Sequence, residues 1–470
     1  MSLYTTVQLS TLTSFLSPLT FSPTQQAKEM KGQGTHSTSK SQIKEEYVKT
    51  ALKVDKGSDA QLISWVTEDF TQKGEHFACI VTSIKVKYRQ GGIENNITYV
   101  VKLNPQRNIN DLREYVRLNF IKEVGYYQDL VPLFNAELQN VGIEPLRMPT
   151  CLFAHMTDGE EVMILGDLRP EGFKVLDCKK GMEKEHTIMV MKEMSKIHAA
   201  STLVEKKTEE ALELKHKYLL VDMSSMKQFD KFFTGSMRSA ADLAEKVGGY
   251  ERHAAWFRNF APKCGDAFKE QLKRSPPFDV VCHGDLIIKS CRLKSQVLIH
   301  CRYDESGAPV DLRLLDFQVC RKASLATDLN FFMYTSLTGD QRKENLHVFL
   351  KAYHDSFRQV MEGAGFPMPF STEELLQEYR KRNLFGFIMG LIAVPILLTK
   401  SKEALDLNSV KDENIENFVS DQKNKNLKQL DSNPLLALIT EHYLRNHRNV
   451  FYLKELFTVR VSNMIDHLFL

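Results

Sequence analysis

A chain of 470 residues that is 43% apolar can bury a large core, and its length suits one bilobal unit better than two unrelated domains. Its 62 basic residues nearly balance 59 acidic ones, for a net charge of +3, so composition gives no general attraction to nucleic acid or to a membrane surface, and any polyanion site must be local. The eight cysteines, Cys79, Cys151, Cys178, Cys264, Cys282, Cys291, Cys301 and Cys320, form no CxxC pair and no metal-ligand spacing, which argues against a zinc site and suits free thiols in a reducing compartment.

Residues 1–45 are rich in Ser, Thr, Gln and Lys with little periodicity, and read as a disordered extension. The N-terminus lacks the basic start and continuous apolar run of a secretory signal. It has no acidic residue before Glu29, as organellar presequences do, but its first arginine is Arg89, and the expectation is a cytoplasmic protein. The segment Gln72-Lys73-Gly74-Glu75-His76-Phe77-Ala78-Cys79 has one glycine, and serves either as a plain hairpin or as a cover whose backbone N–H groups reach phosphates. Over 77–103, the runs FACIVTSIKVKY and ITYVVKL flank the turn-rich GGIENN, the pattern of a β-hairpin. Asn96-Ile97-Thr98 is a glycosylation sequon by pattern only.

Residues 111–135 carry helical spacing through Leu112, Val116, Phe120, Val124 and Tyr127, and a strand-like VMIL follows at 162–165. Beyond Asp167 the chain turns to long amphipathic helices, as at 187–201, interrupted by short apolar strands around 279–285 and 312–318. The most apolar stretch, 385–398, is shorter than the ~20 residues of a membrane span and contains Pro395, so it is expected to be a buried helix. Residues 400–434, rich in Lys, Asp, Asn and Ser, read as a long loop or partly disordered insertion. The expected architecture is α+β: a strand-rich small lobe over 46–165 and a mainly helical large lobe over 166–470.

The sharpest chemical signal is Val280-Val281-Cys282-His283-Gly284-Asp285, an apolar strand ending in a carboxylate, followed 31 positions later by Asp316 in Leu314-Leu315-Asp316-Phe317-Gln318. Phosphoryl transfer needs one carboxylate to orient the acceptor hydroxyl and another to hold Mg²⁺ against the phosphate oxygens. Asp285 fits the first role and Asp316 the second. Lys102, in Tyr99-Val100-Val101-Lys102-Leu103, shares a strand face with Val100, and a charge on an apolar face wants a partner. Glu123 stands three residues after Phe120 and four before Tyr127, on the apolar stripe of its helix, where it can form the ion pair with Lys102 that positions ATP phosphates. Asp328 follows Asp316 by twelve residues at a helix start, where it either caps that helix or binds the catalytic loop. His198, within an amphipathic helix, reads as a packed residue and not a proton carrier.

At these residues the chain resembles the ecdysteroid-kinase-like family, also called CHK-kinase-like, related to choline kinases and aminoglycoside phosphotransferases. The resemblance runs over about 74–445. It rests on Lys102-Leu103-Asn104-Pro105, Phe120-Ile121-Lys122-Glu123 with Tyr127, Gly166-Asp167-Leu168, Ile197-His198-Ala199-Ala200-Ser201, His283-Gly284-Asp285, Asp316-Phe317-Gln318 and Asp328-Leu329. It implies a bilobal protein-kinase-like fold and transfer of the γ-phosphate of ATP, with Mg²⁺, to a hydroxyl of a small molecule, insect ecdysteroids being the best-known substrates. By the same resemblance Asp285 and His283 belong to the catalytic loop, Asp316 to the metal, and Lys102, Glu123, Gly74 and Asp167 to the nucleotide.

The family's catalytic-loop Asn, five positions after the HGD Asp and a ligand of the second metal, is here Ser290, preceded by Lys289, and no Asn occurs over 286–300. The family runs from that Asp to an aromatic in the next strand over about ten residues, whereas Asp285 to Tyr303 spans 18. Residues 287–301 thus read as a replaced and lengthened loop, from divergence or from a misplaced splice junction. Ser is neutral and shorter than Asn, and Lys289 adds positive charge where metal would sit. Two functions follow, a small-molecule kinase or a catalytically impaired pseudokinase that binds nucleotide or ligand, with a purely structural scaffold third.

Overall fold

Helix α1 (Glu45–Lys56) buries Tyr47, Val48, Ala51 and Leu52 along one face, with Glu45 and Glu46 in its first turn and Lys53 and Lys56 in its last, the charge order that complements the helix dipole. Just before it Gln42 and Ile43 are already buried. The structure is a computed structural model that describes residues 41–68, 79–106, 110–175, 182–220, 227–247, 250–287 and 299–398. Most of the expected extension and the expected loop at 400–434 lie outside them.

A five-stranded antiparallel sheet follows, in the order β1-β2-β3-β5-β4, from β1 (Gln61–Glu68), β2 (Ile80–Gln90), β3 (Ile93–Leu103), β4 (Cys151–His155) and β5 (Val162–Gly166). The hairpin is tighter than the GGIENN run suggests. Only Gly91 and Gly92 turn, with φ of 57° and 81°, the two left-handed positions that a two-residue hairpin demands. Ile93 pairs with Gln90 and Asn96 with Lys87, so IENN extends the strand. Central position fixes Lys102: β3 pairs with β2 on one side and β5 on the other, opposite Val81 and Met163.

The helix expected over 111–135 comes in three pieces, α2 (Asn110–Gly125), a π-helical turn (Tyr126–Leu130) and α3 (Val131–Asn140). Val116, Phe120, Val124 and Tyr127 are buried as their spacing predicts. The wider turn also buries Tyr126 beside Tyr127. Tyr126 then stacks on Phe317 with ring centroids 4.0 Å apart and planes 9° apart, which packs α2 onto the C-terminal part.

In that part a short strand β6 (Lys174–Val175) precedes the long α4 (Lys184–Thr208), then α5 (Lys227–Val247), α6 (Glu251–Phe260) and α7 (Cys264–Gln271). Strand β7 (Asp279–Cys282) pairs with β10 (Arg321–Ser324), while β6, β8 (Ile299–Tyr303) and β9 (Pro309–Leu314) form a three-stranded sheet. Helices α8 (Leu325–Ser336), α9 (Gly339–Gly363), α10 (Thr372–Lys381) and α11 (Asn383–Leu398) complete it. The apolar stretch that begins at 385 forms most of α11, and its Phe385, Phe387 and Ile388 are buried against Phe257, Phe260 and Phe268. No helix among the described residues is long and apolar enough to cross a membrane. One apolar cluster runs from Val116, Phe120 and Tyr126 through Phe317 to Val280, Val281 and α4, and so the two parts share a core at the seam.

Strands β7 and β10 are fixed from behind by Arg382 and Glu378. Glu378 accepts from Ser324 Oγ at 2.7 Å, Ser275 Oγ at 3.1 Å and Arg382 Nε at 2.9 Å. Arg382 also donates to the Gln271 and Lys273 carbonyls at 2.5 and 2.9 Å. Arg382→Leu strands the buried Glu378 carboxylate and is expected to cost about 3–5 kcal/mol. Urea unfolding at neutral pH measures it, and a loss below about 1 kcal/mol would mean that the pair does not hold these strands.

Candidate active site

Strand β7 stops at Cys282, three residues short of Asp285, and β9 stops at Leu314, two short of Asp316. Each aspartate therefore stands in the turn beyond its strand and not on the strand end that the sequence suggests. What holds the first turn is Asp328. Its carboxylate accepts from the backbone N–H of His283 at 2.6 Å and of Gly284 at 2.9 Å, and from His198 Nε2 at 3.2 Å. Of the two roles open to Asp328, the structure has the loop: Ser324, not Asp328, caps α8 by accepting from Ala326 N–H. Burial opposes ionisation of Asp328, but the hydrogen bond and charge of His198, with Arg321 and His283, bring its pKa down to about 2. His198 is buried, and its Nδ1 meets the Tyr353 hydroxyl at 2.7 Å, which agrees with a packed residue.

The turn tolerates only glycine at position 284. Gly284 has φ of 90°, and a Cβ there would lie 2.2 Å from the Val319 carbonyl oxygen. Arg321 Nη1 donates to the Gly284 carbonyl at 3.2 Å. His283 ties the two turns together. Its Nε2 lies 3.0 Å from the Leu315 carbonyl, which can only accept, so Nδ1 is left to accept the Asp285 N–H at 3.4 Å. Burial pushes the His283 pKa down despite the Asp328, Asp285 and Asp316 charges, which keeps the ring neutral.

Asp316 adopts a left-handed φ of 73°, a conformation that costs of order 1–3 kcal/mol in a non-glycine residue and clusters at functional sites. Its carboxylate is gripped from both sides, Oδ1 by Lys102 Nζ at 2.9 Å and Oδ2 by Gln318 Nε2 at 3.2 Å. Lys102 Nζ also reaches both Glu123 oxygens at 2.7 Å. The expected Lys102–Glu123 pair is thus present, and it extends to Asp316. Burial opposes the Lys102 charge, but Asp316 and Glu123 overcome it and hold the ammonium above its ordinary range. Burial, with the nearby Asp316 charge, pushes the Glu123 carboxyl up against the pull of Lys102.

Other expected residues lie elsewhere. The Asp167 carboxylate is occupied by Thr98 Oγ1 at 2.6 Å and by Arg169 Nη2 at 2.6 Å; burial opposes its charge, but these partners hold its pKa low. It is not part of the Lys102 array. Gly74 and Ser290 lie outside the described residues. His198, Cys282 and Asp328 bring ligand atoms within 4.8 Å of one another, a trio with no spacing signature in the sequence. Burial pushes the Cys282 thiol up, and a neutral thiol is a poor metal ligand. Lys122, which the sequence shows only as part of the Phe120-Ile121-Lys122-Glu123 run, is buried next to Glu123 and its Nζ donates to the Cys320 carbonyl at 2.7 Å, and nothing in the sequence singles out Arg321. A cleft of about 600 Å³ runs along β7 and β10, lined by Glu213, Leu219, Arg274, Arg321 and Lys322, and meets the His283-Gly284-Asp285 turn through Arg321.

A strand-rich N-terminal part, a helical C-terminal part and a Lys–Glu pair joined to an aspartate at their seam define a bilobal, protein-kinase-like fold. The chain belongs to the ecdysteroid kinase-like family, whose model matches residues 73–366, and it is kinase-like in the manner of enzymes that act on small molecules. Solved structures similar to it include a mutant aminoglycoside 2'-phosphotransferase-IIIa in its GDP complex, 12% identical, covering 86% of this chain and 99% of that one with a TM-score of 0.38. The GDP complex of the wild-type enzyme is 11% identical, covers 85% and 100%, and has a TM-score of 0.36. No curated protein matches the chain.

Asp328→Asn tests the clamp. The wild-type carboxyl titrates near 2 in the fold against an ordinary 3.8, so its contribution of about 2 kcal/mol is present above pH ~4 and disappears as pH falls through about 2. The variant is expected to be less stable at neutral pH and to lose less stability between pH ~4 and ~2. Parallel acid-unfolding curves for the two proteins would refute the ionised clamp.

Proposed function

We propose that this chain transfers the γ-phosphate of ATP to a hydroxyl of a small molecule, a hydroxylated steroid of the ecdysteroid kind being the acceptor class to which its family points. The observation that carries the reading is a pair of hydrogen-bonded runs that meet at the Leu315-Asp316 backbone. One goes from Glu123 through Lys102 to Asp316, and the other from the Leu315 carbonyl through His283 to the Asp285 N–H. Asp285 accepts the acceptor's O–H proton while the acceptor oxygen bonds to the γ-phosphorus. The bond from phosphorus to the bridging oxygen breaks, and its electron pair leaves on ADP. His283, with both ring nitrogens engaged, positions Asp285 and moves no proton. Lys102 orients the phosphates, Gly74 belongs to the segment that covers them, and Asp167, tied to Thr98 and Arg169, fixes the segment after β5 at the nucleotide end.

The donor set fits Mg²⁺. Two buried carboxyl groups share one ammonium, a cation would ease the crowding that pushes the Glu123 carboxyl up, and the acidic donors are all oxygen. Asp316 would hold the ion, with Ser290 at the second position, and the ion's contribution is to neutralise charge on the phosphate oxygens. We take 46–165 as the nucleotide-binding lobe and 166–470 as the catalytic and substrate lobe. A second reading, a nucleotide-binding pseudokinase, is favoured by the Lys102–Asp316 contact at 2.9 Å, which occupies the oxygen a metal would use, and by Ser290.

Asp285→Asn is expected to lower kcat by about 10³-fold with KM for ATP nearly unchanged, because the residue acts on the acceptor proton and not on the nucleotide. Transfer of labelled phosphate from ATP to a hydroxylated-steroid panel measures it; no turnover by the wild type would sink the kinase reading. Stabilisation of the wild type by ATP without any Mg²⁺ dependence would establish the pseudokinase instead.

A further inference from the structure

Helix α2 presents a second set of polar groups on the face that carries Glu123. Tyr115, Asn119 and Glu123 are spaced i, i+4 and i+8, so they line one stripe of the helix, with Asn119 about 6 Å and Tyr115 about 12 Å along the axis from Glu123. Glu123 anchors that stripe to Lys102 and Asp316. Asn119 is only 3% exposed, yet neither its amide oxygen nor its amide nitrogen makes a well-formed hydrogen bond, although its side chain reaches toward the Tyr115 hydroxyl. Buried amides are almost always satisfied, and an orphaned one calls for a ligand or for an explanation. Tyr115 lies beside it. Burial, with the Asp285 and Asp316 charges, pushes the Tyr115 hydroxyl up to about 12 while Asn119 pulls it down, so the hydroxyl is a neutral donor close to both aspartates.

The chemistry of this corner selects its ligand. Arg113 and Arg117, on the same helix, turn toward Asp158 and Glu114 at 3.8 Å, and Lys102 is held by two carboxylates. A bare phosphate would face Asp285 and Asp316, while Lys122, the buried cation of α2, donates to the Cys320 carbonyl. A neutral hydroxyl fits, since it can accept from one amide or phenol group and donate to the other.

We propose that Asn119 and Tyr115 are acceptor-positioning residues, which hold a neutral, hydroxyl-bearing end of the acceptor beside Asp285. The proposal rests on the kinase reading above but is measured separately from it. An amide kept unsatisfied for a ligand is a stability cost in the free protein, so Asn119→Leu is expected to raise Tm of the ligand-free full chain by about 2 °C or more, and Tyr115→Phe to leave it within about 2 °C. With ecdysone as the probe acceptor, both variants are expected to raise KM for ecdysone about tenfold while KM for ATP stays within about twofold. A fall in Tm for Asn119→Leu would show that its amide supports the fold and overturns the proposal, as does an unchanged KM for ecdysone or a rise confined to ATP. If the wild type does not phosphorylate ecdysone, the ecdysteroid acceptor assignment falls, while the Tm of Asn119→Leu still decides whether the amide is reserved for a ligand.

Discussion

The Lys102 ammonium is the contact on which the rest of the architecture depends. It sits on a central strand, takes Glu123 from α2 and Asp316 from the turn after β9, and thereby ties sheet, helix and C-terminal part to one point. A lone buried charge would cost many kcal/mol. Three charged groups that share one point lower that cost and fix geometry, since removing Lys102 leaves two buried carboxylates without their cation. Packing follows the same line: Phe317, next to Asp316, stacks on Tyr126 and lies 4.5 Å from the His283 ring.

Asp328 solves a different problem. It holds a turn and not a seam, and its partners are mainly hydrogen-bond donors. Two backbone N–H groups and one imidazole converge on a fully buried carboxylate, which keeps it ionised and makes the His283-Gly284 backbone rigid. The close approach of Val319 to Gly284 leaves no room for a side chain. With Arg321 on the Gly284 carbonyl, the backbone that carries Asp285 is positioned by groups that are themselves locked, the condition that the proposed role of Asp285 requires.

The parts of this site legible in the sequence were those in which a charge broke an apolar period. Lys102 on a strand face and Glu123 on a helix stripe violate their patterns, and the structure pairs them. Asp285 and Asp316 announced themselves after apolar runs, although the strands end earlier than those runs do. Hidden were features with no local pattern: the π-turn that buries Tyr126, the choice of Ser324 over Asp328 as helix cap, and the contact of Asp328 with a turn 44 and 45 residues away in sequence. Asp167 follows a strand as Asp316 does, and only the Thr98 and Arg169 contacts distinguish its role.

The donor inventory of Lys102 links nucleotide to metal in the proposed chemistry. An ammonium has three N–H donors, and here they meet the two Glu123 oxygens and Asp316 Oδ1. None remains for a phosphate, so a triphosphate must displace one partner. Glu123 is held at two points and Asp316 at one, so the Asp316 contact yields at the lower cost. The oxygen that Lys102 releases is then a carboxylate oxygen beside newly arrived phosphate charge, the place where a hard divalent cation is most strongly favoured. Gln318 still holds the other oxygen, and the left-handed backbone of Asp316 keeps the carboxylate in place. On this counting, the proposed chemistry would couple entry of the nucleotide to entry of the cation.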